Sequence, residues 1–236
     1  MANHSHPERF VLLGTAFLAL LAALWAGLLR MDLEIPMLQA GLSLAHGPLM
    51  VSGFLGTLIG LERAVALNRP WAYSAPALTA AGTVCLAAGW AVRAGALCLG
   101  LGSAAMAVIF VAIVRRQPAV FTLTMASGAL AWLMGNLFWI SGAEIPTLVH
   151  WWAGFLILTI AGERVELSRL ASRRQETRTF LFSVAVYLAG LAWASASLVR
   201  GLQLAGAGML LLTAWLLRND VARRTVRLAG LPRFVA

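Results

Sequence analysis

Eight apolar runs, each close to the length a bilayer demands, leave this chain few folds to choose from. A hydrocarbon core of ~30 Å takes ~20 residues of α-helix. Runs of that order fall at approximately 10–29, 38–61, 72–92, 95–114, 118–140, 147–167, 179–198 and 201–217. Backbone amides surrounded by lipid need partners within their own segment, so each run reads as a helix. The expected fold is all-α, a polytopic membrane helix bundle of about eight spans, forming a single transmembrane domain over 1–236. The largest connections run only from Leu61 to Trp71 and from Ser168 to Arg178, too short for a soluble domain. The first run follows MANHSHPERF with no small-residue cleavage site after a short core, and is expected to be a retained span and not a signal peptide.

The net charge of +9 comes from 18 basic side chains, all arginine, which in a soluble chain would suggest nucleic acid. Their placement argues for topology instead. With the N-terminus inside, Arg9, Arg63, Arg69, Arg115, Arg116, Arg164, Arg169, Arg173, Arg174, Arg178, Arg218, Arg223, Arg224, Arg227 and Arg233 all fall on the cytoplasmic side. Only Arg30, Arg93 and Arg200 fall outside. This positive-inside bias predicts cytoplasmic termini in a bacterial-type cytoplasmic (inner) membrane, with the lipid bilayer, and no nucleic acid, as partner. Trp25, Trp90, Trp139, Trp151 and Trp152 fall near the outer interface with Asp32, Glu34 and Glu144, as an aromatic belt does.

A repeat accompanies the span map. Gly53-Phe54-Leu55 precedes Glu62-Arg63 by nine positions, and Gly154-Phe155-Leu156 precedes Glu163-Arg164 by the same nine. The copies stand four spans apart, in the second and the sixth, so both run in one direction, and two parallel four-helix repeats are expected, halves approximately 1–117 and 118–236. By that symmetry Glu62 pairs with Arg164 and Glu163 with Arg63, as structural ion pairs.

Two histidines interrupt the apolar helices, His46 in the second span and His150 in the sixth. At helical spacing Gln39, Ser43, His46, Met50, Gly53, Thr57 and Gly60 form a small or polar stripe expected to face protein, with the remaining residues facing lipid. Pro48 has no amide to offer Leu44, so the Gly47-Pro48 pair predicts a kink just after His46. Ionisable groups inside a membrane are functional candidates by default, and imidazoles on two helices of a bundle suit haem iron or another metal. Asn136 is expected to seek a partner, His150 being nearest by height. Cys85 and Cys98 have no metal-ligand spacing and read as buried thiols, with no disulfide framework or zinc site. No phosphate loop, Ser/His/Asp arrangement or H-E-x-x-H motif is present.

His46, Met50, Gly53 and Phe54 reproduce H-x-x-x-M-x-x-G-F, and in this the segment resembles the NnrS family of multispan membrane proteins associated with haem, copper and nitric oxide stress. HGPLM is also similar to the histidine-bearing helix of the haem-copper oxidase catalytic subunit. His150, Gly154 and Arg164 resemble the second NnrS-type segment. The chain departs from the family in having fewer spans, and in carrying His46-Gly47-Pro48-Leu49-Met50 where members have H-x-H-E-M. A second histidine and a glutamate are therefore missing, and with His4 and His6 in the polar N-terminal tail no third histidine is available within the spans for an oxidase-type copper. The resemblance implies one haem b, with copper the less favoured metal, held by His46 and His150 near the outer face. Met50, Gly53 and Asn136 would line the cofactor site, and Arg93 and Arg200 would meet the propionates. The implied role is redox, sensing or nitric oxide handling, with a small gas or redox partner. The alternatives are a small-solute or ion permease, or an accessory or assembly subunit whose polar stripe binds a like or unlike chain as a homo- or hetero-oligomer.

Overall fold

A computed structural model describes residues 7–31, 33–39, 41–168 and 174–219. Arg169, Arg173, Arg223, Arg224, Arg227, Arg233 and Asp32, which entered the topology argument, lie outside the described residues. All regular elements among the described residues are helical: α1 (Pro7–Arg30), α2 (Leu42–Leu67), α3 (Ser74–Ala88), α4 (Val92–Arg116), α5 (Val120–Ile140), α6 (Ile145–Ser168), α7 (Arg174–Ala194) and α8 (Leu198–Asn219). Seven of them are long and apolar enough to cross a membrane. The third is not. Ala72 and Tyr73, the first residues of that run, belong to a separate 3-10 turn, Pro70–Tyr73, and Gly89, at φ +68°, stops the helix in the left-handed region. The 15 residues left in α3 reach only ~22 Å at ~1.5 Å each.

Glu62 and Arg63 also lie within a helix, since α2 runs on to Leu67 and is capped by Asn68 in the left-handed conformation. Contacts divide the chain into two compact units, Met1–Val111 with Leu133–Val149, and Ala112–Trp132 with His150–Ala236. This cut differs from the division at 117/118, because the end of α5 and the start of α6 belong with the first unit.

In the first unit, α1 presents Ala16, Ala19, Ala23 and Ala26, all buried, at alternating spacings of three and four. Such a stripe lets α2 approach closely without a large side chain between the backbones. Ala23 and Ala26 join Leu42, Leu49, Leu86 and Leu99 in one apolar cluster. Buried hydroxyls are paired beside it: Thr57 Oγ1 donates to Thr79 Oγ1 at 2.9 Å, and Thr83 Oγ1 donates to the Thr79 carbonyl at 2.8 Å.

The expected kink in α2 takes an unexpected form. Leu42–Ala45 is a 3-10 turn, His46–Pro48 is α-helical, Leu49–Gly56 is a π-helix, and Thr57–Leu67 returns to α. Without an amide, Pro48 cannot bond Leu44, and the Leu49 amide reaches back only three residues, to the His46 carbonyl. The widened π turn then changes which residues share a face. Ser52 and Gly53 are both buried, as are Gly56 and Thr57, and Leu49, expected on the lipid face, is fully buried. The stripe drawn at even helical spacing is corrected accordingly.

The second unit is built on close backbone contact. Along α7 and α8, a Cβ added at Gly190 would collide with the Ala205 backbone, and one at Gly201 with the Ala194 backbone. At Gly208 it would lie 2.5 Å from the Tyr187 amide nitrogen. The Trp132 and Phe155 rings stack at 4.7 Å between α5 and α6. Trp152, expected in an interfacial belt, is fully buried, whereas Trp90 in the first unit is 83% exposed.

These contacts make a stability prediction. Gly190→Ala and Gly201→Ala should each destabilise the protein by about 1–3 kcal/mol, the usual range for overpacking, lowering the thermal midpoint in detergent. Gly206→Ala, on the same helix as Gly201 but with open space where its Cβ would go, should leave that midpoint unchanged.

Candidate functional site

His46 begins the short α-helical piece of α2, and its ring is seated by α1. Its Nδ1 lies 2.8 Å from the Ala23 carbonyl oxygen. A carbonyl only accepts, so this bond places the proton on Nδ1 and leaves Nε2 with its lone pair. One turn further along α1, Gly27 makes room for the ring: a Cβ there would lie 3.1 Å from both Cε1 and Nδ1. Among the described residues no group hydrogen-bonds Nε2. Metal-ligating histidines are commonly oriented this way, the far nitrogen donating to a backbone carbonyl while the near one coordinates. Neither Ala23 nor Gly27 was singled out from the sequence. The signal was there, in the small-residue ladder of α1.

His150, on α6 in the second unit, is in the opposite condition. Only 6% of it is exposed, yet neither ring nitrogen has a hydrogen-bond partner among the described residues. Its nearest ring is that of Trp151, with centroids 5.7 Å apart and planes tilted by 38°. Gly154, one turn on and so on the same face, leaves no room for a Cβ, which would lie 2.6 Å from Leu191 Cδ1 and 3.4 Å from Ala131 Cβ, so that face is turned toward protein. A buried polar group left unbonded costs about 1–3 kcal/mol, so the imidazole is a donor and acceptor in want of a partner.

The other expected site residues divide. Asn136 is fully buried but does not orient His150: its Oδ1 accepts from Ser52 Oγ and its Nδ2 donates to the Leu99 carbonyl, both at 3.4 Å. Those partners are nearer along the first unit, to which Asn136 belongs, and they correct the expected bond. Met50 packs against the apolar cluster of Ala23 and Leu49 as a wall. Gly53 lets α2 approach Thr83 and Ala19, at 2.8 and 3.4 Å from where a Cβ would stand. Arg93 and Arg200 are exposed. Glu62 meets Arg63 of its own helix at 3.1 Å, with 59% of the carboxylate side chain exposed, so the pair contributes little to stability. Glu163 is half-buried and Arg164 exposed.

Among the described residues no three of His, Cys, Asp and Glu gather into one group, and Cys85 and Cys98 are free thiols. A tetrahedral metal needs three or four protein ligands. Haem brings four nitrogens of its own and asks the protein for one or two axial donors. Imidazoles standing singly, as the oriented His46 and the unbonded His150 do, fit the second case.

A family model described as "Domain of unknown function (DUF8744)" matches residues 9–236. No curated protein and no solved structure matches the chain.

The seating of His46 is open to measurement. In nitrogen-15 spectra of histidine-labelled protein, His46 should show the Nδ1-protonated tautomer. Gly27→Val, by driving a side chain into the ring, should mix the tautomers, while Gly14→Val, whose Cβ position is open, should not.

Proposed function

The chain belongs to the DUF8744 family, and from its own residues we propose that it is an integral membrane haem-binding protein with His46 and His150 as imidazole ligands, acting in redox, sensing or nitric oxide handling. The observation that carries this reading is the 2.8 Å contact of His46 Nδ1 with the Ala23 carbonyl, which prepares Nε2 to coordinate. The unbonded nitrogens of buried His150 support it, as does the resemblance of the His46–Phe54 segment to NnrS proteins. Haem, if bound, would be held by His46 and His150 and would supply an iron centre able to exchange electrons or bind small gases. The protein's part is to fix the tautomer and ring plane of His46, to shield His150 from water, and to offer Arg93 and Arg200 as cations for carboxylates. Copper is the less favoured metal, because the donors stand singly.

Titration of the purified protein with haemin should produce a Soret band. His46→Ala and His150→Ala should each weaken haemin binding at least about tenfold, the lower end of the range for losing a group that only orients a metal ligand. A protein that stays colourless in haemin, with no metal by elemental analysis, would overturn the reading.

A second reading, a small-solute or ion permease, is favoured by one observation. The helix α2 is irregular, its π-helical stretch interrupting the α pattern, and Ser52, Thr57, Thr79 and Thr83 bring buried hydroxyls to that portion. Broken helices with polar groups within the membrane are how many transporters hold their substrates. Its test is uptake of small solutes by proteoliposomes, expected to fall in Thr57→Val.

The inner-membrane location, cytoplasmic termini and parallel repeat belong to the same proposal, which takes the short α3 as an eighth crossing and is supported by the arginine distribution and by glycine-packed helix pairs, α3 with α4 and α7 with α8. In a background with Cys85 and Cys98 replaced by serine, a cysteine at Ser141 should react with a membrane-impermeant maleimide added to intact cells. A cysteine at Gln117 should react only after the membrane is opened.

A further inference from the structure

The first unit contains a cavity of about 570 Å³, within the usual range for ligand pockets. It lies where helices end and begin: at Arg30 closing α1, the 3-10 turn opening α2, Leu86 near the end of α3, Val92 opening α4, Trp139 near the end of α5 and Ile145 opening α6. The Gln39 side chain ties two of these walls together, its Nε2 donating to the Leu86 carbonyl at 3.3 Å. Most of the lining is apolar, including Leu44, Leu86 and Trp139. Two charged side chains of opposite sign, Arg30 and Glu144, complete it. They do not neutralise each other. Among the described residues neither guanidinium nor carboxylate makes an ion pair or a side-chain hydrogen bond.

We propose that this cavity binds a phospholipid with a zwitterionic, primary-ammonium headgroup, a phosphatidylethanolamine. The ends of membrane-spanning helices lie at headgroup level, so the occupant is expected to be an amphiphile with its polar part at the charges and its chain on the apolar wall. Arginine binds phosphate oxygens through paired N–H donors, and an ammonium group carries three N–H donors that a carboxylate accepts. One cation and one anion on one cavity thus match a headgroup bearing both signs. A purely anionic headgroup satisfies Arg30 but meets Glu144 as a like charge. A choline headgroup matches both charges but has no N–H to donate. A neutral ligand answers neither.

The test uses the full chain, purified in mild detergent, stripped of lipid and exposed to equal amounts of phosphatidylethanolamine, phosphatidylglycerol and phosphatidylcholine, with bound lipid weighed by native mass spectrometry. Its readout is lipid mass and does not involve haem. The wild type is expected to retain one phosphatidylethanolamine at least fivefold above either competitor. Glu144→Gln should erase the preference over phosphatidylcholine and raise phosphatidylglycerol, and Arg30→Gln should lower all three. Ala143→Trp, which fills the cavity from its half-buried wall, should remove bound lipid while the helical circular dichroism is kept. Equal retention of the three lipids by the wild type, or ethanolamine retention unchanged in both charge variants, overturns the proposal.

Discussion

A polar group withdrawn from water inside an apolar helix must find a partner or bear the cost of having none, and much of this structure follows from how that demand is met. Where a neighbouring helix offers a backbone carbonyl, the side chain takes it: His46 bonds Ala23 across to α1, and Asn136 bonds Leu99 across to α4. Where two hydroxyls meet, they bond each other, as Thr57 and Thr79 do. These pairings fix helix against helix in places where apolar contact alone specifies little. His150 is the instructive exception, a buried imidazole with nothing bonded to either nitrogen among the described residues. The contrast between the two histidines, one oriented and one unanswered, is what gives the chain a chemical character beyond that of a helix bundle.

Close approach is the condition for such pairing. The carbonyl of Ala23 is within reach of His46 because α1 shows α2 a ladder of alanines, and because Gly27 has no side chain to occupy the ring's place. In the second unit the same device works without polar groups. The glycines of α7 and α8 bring backbones into contact, where dispersion between many atoms replaces the hydrophobic drive that lipid cannot supply.

The spans were legible because apolar length is a local property, and a run such as Val92–Arg116 reads as a membrane helix whatever its neighbours are. The short α3 was not legible, since its hydropathy says nothing of where Pro70 and Gly89 break the helix. His46 and His150 stood out because imidazole is rare in apolar surroundings. Their circumstances did not stand out. A proline after His46 announces an irregularity but not its form, and the eight-residue π segment moved Leu49 and Ser52 onto the buried face. Asn136 was assigned by height to His150, yet hydrogen bonds are decided over a few tenths of an ångström, a scale that span counting does not reach.

The sequence by itself determined that this is a chain of long apolar helices, two of them interrupted by a histidine, with its basic residues all arginine, because hydropathy and residue identity need no third dimension. Only the tertiary structure decided which nitrogen of His46 is occupied, that His150 has no bonded neighbour among the described residues, and that Arg30 and Glu144 share one cavity. Each of these depends on where packing brings together residues that are far apart along the chain. Their meeting is set by how closely small side chains allow the helices to approach.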